Sequence, residues 1–560
     1  MQEILENKPK KKIMLLGNEA VVRGALEAGV QFVSTYPGTP ASEIGNVFYK
    51  IAKKAGVVFE FSTNEKTAME AGAGASFCGL RSLVAMKNFG LNVASDFLLP
   101  LVYSGVKAGM VILVADDPSC WSSAQSEENT RAFAYLSHIP ILEPSTPQEC
   151  KDFTKLAFEL SEKFKIPVML RETTRASHQS APVVLGKIKK RKIKAKFVKN
   201  VKQFSTMPPR VLEMHQELLE KIEKIREFSE KSAINQVFQK VRDPTSTFSR
   251  FGIITSGVSY LYVMEALKEL NISLPVLKLG FFHPLPKKKI RKFFNPLAGG
   301  LKKVLIVEEL DPYLEREIEI LARKANPSIE IFGKNVLPEV GELKPEHVIS
   351  AVLRVAGKKK GINFQKHLKE FKKIKLAKRF PVLCPGCPYW FVFSAVKKAA
   401  PKATIFGGGI GCYMLAGFPP HNIQDYLYCM GSSTGIAHGI KRVSKQKLIT
   451  FVGDSSFFHS GIPALINTVF NKSNPLIIIM DNSTTAMTGH QPHPGIGKNK
   501  EQNGVEPIKI EALVQSCGVK NLKVIDPINT KQMEKTIKEF LNKKEVSVII
   551  ARRPCARLKS

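Results

Sequence analysis

Nowhere is this sequence apolar for anything near the roughly 20 consecutive residues that a membrane-crossing helix needs, so no membrane span is expected. Its first twelve residues, Met1-Gln-Glu-Ile-Leu-Glu-Asn-Lys-Pro-Lys-Lys-Lys12, lack the apolar core of a secretion signal, and a cytoplasmic protein is expected. Acidic residues are scarce: 49 Asp and Glu face 83 Lys and Arg, a formal net charge of +34. That balance invites a nucleic-acid reading. Lysine, however, is densest over 187–202 and 358–379, and neither stretch interleaves aromatic side chains as a single-strand binder does. Solvated charge, or attraction for an acidic protein partner, is the better account, and no nucleic-acid partner is expected. A disulfide framework is also missing, because the nine cysteines are an odd number in a large chain without a secretion signal. At 560 residues, 44% of them hydrophobic, the chain has material for several domains.

What is present is a pair of short apolar runs that end abruptly in polar residues. They are Leu448-Ile-Thr-Phe-Val-Gly-Asp-Ser-Ser456 and Asn474-Pro-Leu-Ile-Ile-Ile-Met-Asp-Asn482. Each reads as a buried parallel strand. Between them, Ile462, Leu465, Ile466, Val469 and Phe470 recur at helical spacing over 461–472. Strand, helix and strand in this order make a right-handed crossover unit. Asp454 and Asn482 then fall at the carboxyl ends of the two strands, where open parallel sheets bind ligands. Two oxygen-bearing side chains there can share one hard cation, and magnesium often borrows further oxygens from a phosphate. Gly453 lets the backbone come close to such a group. The plainer reading of Asp454 is a strand-end residue that caps the next helix.

Alternating strands and helices mark an α/β domain over 13–180. Strands are expected at 13–17, 30–34 and 57–61, a helix at 18–28 stopped by Gly29, and an Ala- and Gly-rich helix at 68–79. Tyr36-Pro-Gly-Thr-Pro40 is a turn that exposes backbone. Glu65 stands between a strand and a helix, where the helix dipole alone favours a carboxylate. Glu70, inside the helix, is expected to face solvent. Residues 181–250 read as a charged linker with helices, 251–357 as a further α/β unit in which His283 and Glu308 serve the scaffold, 358–379 as a basic linker, and 380–560 as the last domain. The fold class is α/β, with several doubly wound parallel-sheet domains.

Cys384-Pro-Gly-Cys387 opens the last domain, and on its own admits a redox pair, a zinc half-site or an iron–sulfur ligand pair. Cys412 lies in a glycine-rich loop, and Cys555 follows the β-branched run 546–551, which reads as a strand. Cys429, between Tyr428 and Met430, is expected to pack.

Two long runs carry a resemblance: Gly453-Asp-Ser-Ser-Phe-Phe-His-Ser-Gly-Ile-Pro-Ala-Leu-Ile-Asn467 and Asp481-Asn-Ser-Thr-Thr-Ala-Met-Thr-Gly-His-Gln-Pro-His-Pro-Gly495. The sequence resembles the alpha subunits of the indolepyruvate ferredoxin oxidoreductases, within the 2-oxoacid:ferredoxin oxidoreductases, from about residue 13 to the C-terminus and most weakly over 185–375. The resemblance implies domains of the thiamine-diphosphate-binding type. Residues 13–180 would bind the pyrimidine, 251–357 would be the transketolase C-terminal type, and 380–560 would bind the diphosphate. Gly453-Asp454-Ser455 and Asp481-Asn482 depart from the general Gly-Asp-Gly and Asn-Asn fingerprint at two positions. By resemblance, Asp454, Asn482 and the carbonyl of Thr484 hold Mg2+ on the diphosphate, with Gly453, Ser455 and Gly489 beside the cofactor. Glu65, followed by Gly74-Ala75, matches the catalytic glutamate that meets the aminopyrimidine. Thr39 matches a substrate-side threonine, and His490, with His459 and His493, is a candidate for proton handling. Cys384, Cys387, Cys412 and Cys555 match the ligand spacing of a 4Fe-4S cluster.

The implied activity is oxidative decarboxylation of an aryl 2-oxoacid to its acyl-CoA. Coenzyme A, ferredoxin and a smaller beta subunit are the implied partners, in a hetero-oligomer. A non-oxidative thiamine diphosphate decarboxylase or carboligase is the alternative, and it would need no cluster. Such alpha subunits usually continue into a ferredoxin-like tail with two more cysteine-rich repeats, which are not in this sequence. A separate ferredoxin subunit, direct transfer to an external carrier, and truncation all remain open.

Overall fold

The two apolar runs become neighbouring parallel strands, Leu448–Gly453 and Leu476–Asp481, in register from Ile449 opposite Leu476 to Gly453 opposite Met480. They are continuous in hydrophobicity because both faces of their sheet are covered. Ile449, Phe451, Ile478 and Met480 pack on one side with the helices Tyr389–Ala399 and Thr530–Phe540. Val452, Ile477 and Ile479 pack on the other with Leu465, Ile510 and Val514. The five strands run in the spatial order Ile405–Gly407, Leu448–Gly453, Leu476–Asp481, Ser547–Arg552, Asn521–Ile525, all parallel.

The crossover helix departs from expectation. After Asp454–Ser456 the chain makes a π turn, Phe457–Gly461, before the α-helix Ile462–Phe470. A π turn inserts one residue and so rotates the positions after it by about 100°. Leu465 stays in the core, whereas Ile466 is half exposed and Phe470 stands 81% exposed.

This computed structural model describes residues 2–189, 193–238, 250–295, 300–357, 364–375, 377, 381–496 and 505–558. Parts of the two lysine-dense stretches, including 190–192 and 358–363, lie outside them. The chain divides into two units, Met1–Glu60 with Glu65–Lys375 and Phe61–Asn64 with Leu376–Ser560.

The first unit holds a seven-stranded sheet in the order Phe281–His283, Ile141–Leu142, Val168–Thr173, Met110–Asp116, Ser82–Lys87, Phe32–Thr35, Val58–Phe61. Its four pairings from Ile141–Leu142 through to Phe32–Thr35 are parallel. A second sheet is built on Phe251–Ser256, Val276–Leu279, Lys303–Val307 and Glu330–Phe332, and Gln236–Phe238 joins it antiparallel. The strand Lys12–Leu16 stays out of the main sheet and pairs antiparallel with Ser180–Val184. The helix Gly17–Ala28 stops where Gly29 turns left-handed at φ 73°, the conformation a helix C-cap needs and glycine adopts without strain. Within 181–250 lies the helix Arg210–Lys231, which buries Met214, Leu218, Ile222 and Ile225 on one stripe.

A buried ionic network sits in this unit. Arg131 bridges Glu143 and Glu308, each at 2.7 Å, and Arg171 pairs with Asp116 at 2.7 Å and Glu143 at 3.0 Å. Against burial, the two guanidiniums hold the Glu143 carboxyl down to about 2. Glu308 also accepts hydrogen bonds from the backbone amides of Leu314 and Glu315, a scaffold role.

Candidate active site

The second unit's strands end where their chemistry changes. Asp454, 3% exposed, opens the short helix directly after its strand. Oδ1 accepts from the Ser455 amide at 2.8 Å. Oδ2 accepts from the Asn482 amide at 3.2 Å and is met by His493 Nε2 at 3.0 Å. Asn482 Oδ1 accepts from the Thr484 amide at 3.2 Å. Thr485 and Gln491 form an antiparallel bridge, and the His490 amide donates to the Thr485 carbonyl at 3.0 Å, so 485–491 is a closed loop. Gly489 in it has φ 124°, open to glycine but strained for a side chain; His490 itself sits at φ 63°. A Cβ on Gly453 would stand 3.0 Å from the Tyr413 ring.

These residues fit a magnesium site in kind: a carboxylate, an amide oxygen and a backbone carbonyl are hard oxygen donors. Burial, and then the Asp454 charge, push Asp481 above the usual carboxylate range, while Arg552 at 2.7 Å opposes them. A carboxyl pushed up by a neighbouring carboxylate's charge marks a place where a cation would be stabilised. Among the described residues, no three His, Cys, Asp or Glu side chains are arranged to hold a metal ion.

The four cysteines come from three stretches: the turn at Cys384 and Cys387, the start of the 3-10 helix Cys412–Gly417, and the segment after the strand Ser547–Arg552. They lie within electrostatic reach of one another. Burial, and then the thiols of Cys387, Cys555 and Cys384, push Cys412 up to about 12. Burial, and then Cys555 and Cys384, push Cys387 to about 11. The donor set suits an iron–sulfur cluster, although the thiols are not closed into a ligand group. The Cys555 amide donates to the Asn482 carbonyl at 3.0 Å, and Cys555 Sγ lies 3.7 Å from His490 Nε2. Cys429 is exposed rather than packed, and so is Tyr428, because the chain turns there into the helix Ser432–Val443.

In the first unit, Glu65 is the first residue of the helix Glu65–Phe77 and is 5% exposed, whereas Glu70 is exposed. A Cβ on Gly90 would stand 2.5 Å from Glu65 Cγ, so only glycine lets the carboxylate lie against the helix Asn88–Ser104. Thr39 is half-buried. Its Oγ1 lies 3.4 Å from Ser42 Oγ, and its carbonyl accepts from Ser122 Oγ at 3.3 Å. Lys87 and Glu128, which the sequence reading passed over, belong to the same neighbourhood. Burial, and then the Asp116 charge, push Glu128 up to about 7. The available signal was a lysine ending an otherwise buried strand, Ser82–Lys87.

Residues 409–551 match the C-terminal binding domain of thiamine pyrophosphate enzymes, and residues 23–237 match the thiamine diphosphate-binding domain of pyruvate flavodoxin/ferredoxin oxidoreductases. The chain is 43% identical to indolepyruvate oxidoreductase subunit IorA of Methanothermobacter marburgensis, over 99% of this chain and 88% of that protein. It is 44% identical to IorA of Pyrococcus horikoshii over 99% and 87%, and 38% identical to IorA of Archaeoglobus fulgidus over 99% and 88%. With the α/β fold and the polar strand ends already described, these matches place the chain in the indolepyruvate oxidoreductase IorA family, an α-subunit type of thiamine-diphosphate-dependent 2-oxoacid oxidoreductase.

Proposed function

We propose that the chain catalyses oxidation of aryl 2-oxoacids such as indolepyruvate to their acyl-CoA thioesters, with electrons leaving to ferredoxin and a smaller companion subunit completing a cytoplasmic enzyme. The observation that carries this reading is the junction at one sheet end. The Asn482 amide bonds Asp454, and the Asn482 carbonyl bonds the Cys555 amide. Oxygen donors for a metal-bound diphosphate and thiols for an electron acceptor thus share one residue.

Bound thiamine diphosphate supplies the carbon nucleophile and electron sink that 2-oxoacid decarboxylation requires. Asp454, Asn482 and the Thr484 carbonyl hold Mg2+. Gly453, Ser455 and Gly489 line the diphosphate, with Gly489 giving the loop its φ of 124°. Glu65 presents its carboxylate to a ring nitrogen of the aminopyrimidine, the positioned-base role that suits a buried carboxylate held on one side by Gly90. Thr39 faces the substrate. Cys384, Cys387, Cys412 and Cys555 hold a 4Fe-4S cluster, and His490 handles protons between it and the cofactor loop.

The test is anaerobic purification with the companion subunit, followed by addition of indolepyruvate, coenzyme A and oxidised ferredoxin. A broad visible absorption band, acyl-CoA product and reduced ferredoxin are expected. Aldehyde as the product, with ferredoxin left oxidised, overturns the proposal in favour of a non-oxidative decarboxylase.

A further inference from the structure

Lys87 is a half-buried cation with an unmet demand. It ends the strand Ser82–Lys87, and its stem crosses the Tyr36–Pro40 turn so closely that a Cβ on Gly38 would stand 2.9 Å from its Cγ. Its Nζ lies 4.8 Å from the centre of the Phe89 ring and donates to Ser123 Oγ at 2.9 Å. Burial pushes the amine below its ordinary range, with Asp117, Glu65, Cys120 and Glu128 pulling the other way.

None of those carboxylates makes an ion pair with Lys87 among the described residues, and each is engaged elsewhere. Asp117 accepts from Thr174 Oγ1 and from the Ser122 amide and hydroxyl. Glu128 accepts from Asn92. Glu65 lies against Gly90. Buried charges are ordinarily paired, because an unpaired one forfeits hydration without return. An ammonium with one hydroxyl partner and two donors to spare, beside Gly38-Thr39 and within the field of Glu65, is therefore built to receive an anion.

We propose that the Lys87 ammonium takes the carboxylate of the 2-oxoacid substrate, and so makes a free acid the requirement of this enzyme. This rests on the 2-oxoacid reading above and adds a specificity-determining residue to it. The carboxylate charge is present in the bound substrate and vanishes as carbon dioxide leaves. An ion pair to it therefore strengthens substrate binding more than it stabilises the reaction's later course.

The experiment uses the assembled, cofactor-loaded enzyme with Lys87→Met and Lys87→Arg. Lys87→Met should raise KM for indolepyruvate roughly 10- to 100-fold, the range of a hydrogen bond to a charged group, and leave kcat within a few-fold. Lys87→Arg should recover most of the loss. Thiamine diphosphate affinity, measured by titration calorimetry, should not change.

A second readout needs no turnover. Indole-3-lactate and the neutral indole-3-ethanol compete for the site, and the parent should favour the acid. Lys87→Met should bind both alike. A Met variant that keeps both its KM and its preference for the acid overturns this inference and leaves the 2-oxoacid reading standing. A parent enzyme that turns over no 2-oxoacid overturns that reading, and this inference with it.

Discussion

The polar strand ends of the two units differ in how their charges are matched. In the second unit the carboxylates at the sheet end have protein partners among the described residues. Asp454 is met by two backbone amides and His493, and Asp481 pairs with Arg552, which also holds Glu511. In the first unit Lys87 has no carboxylate at ion-pair distance among the described residues, and Glu65 lies close against Gly90. A site satisfied internally must exchange partners to take a ligand. A site left short of an anion gains a partner outright.

The comparison is broken most directly at Asp454. Asp454→Ala should abolish magnesium-dependent thiamine diphosphate binding by calorimetry while the circular dichroism spectrum is retained, since the residue sits at a strand end and belongs to neither apolar cluster of its sheet. Unchanged affinity would remove Asp454 from the proposed ligand set. Glu65→Gln should keep cofactor binding and lower turnover by about 10²- to 10⁴-fold, the usual scale of a positioned acid–base group. Glu70→Gln, on an exposed residue, should cost almost nothing, and the opposite ranking in a steady-state assay would reassign the glutamate.

Arg131 sharpens the contrast by showing what unpairing costs. Arg131→Met leaves Glu308 buried without its guanidinium and Glu143 with Arg171 alone, and should lower unfolding stability in urea by about 3–5 kcal/mol. The pH dependence has a definite sign. Glu143 is held down to about 2 from an ordinary 4.5, so its contribution is complete above pH 4.5 and is lost as pH falls towards 2. Urea titrations of the variant should show a smaller loss over that range, because Arg171 still faces Glu143. Cys555→Ala should lower iron per chain and bleach the visible band with thiamine diphosphate binding largely kept; Cys517→Ala is the control, and equal iron in both would place the fourth ligand elsewhere. The smallest effect expected is Gly489→Ala, which puts a side chain at φ 124° and should cost about 1–3 kcal/mol in melting experiments.

Much of this was legible in the sequence where a local pattern has one physical solution. A strand buried on both faces must be apolar throughout, so Leu448–Gly453 and Leu476–Asp481 announced themselves, and Asp454 and Asn482 with them. The burial of Glu65 and the exposure of Glu70 follow from their places at the start of and inside one helix. What escaped depends on distant partners. Lys12–Leu16 looks like any sheet strand, and only Ser180–Val184 decides that it pairs outside the main sheet. The π turn at Phe457–Gly461 has no residue signature, so the exposure of Phe470 could not be read from spacing. Lys87 could not be singled out in the sequence because its setting depends on where Asp117 and Glu128 direct their own bonds.

The strand order of the second unit has a consequence for assembly. Ser547–Arg552 is the last of its five strands along the chain, yet it lies between Leu476–Asp481 and Asn521–Ile525. The sheet is therefore completed from within, by a segment that must find a gap already flanked on both sides. Such non-local closure is slow compared with local pairing, and until it happens Asp481 lacks Arg552 and Asn482 lacks the Cys555 amide. A chain cut off before residue 547 would keep Asp454 and Asn482 but lack the strand between Leu476–Asp481 and Asn521–Ile525, and with it the partners that Arg552 and Cys555 bring to the sheet end.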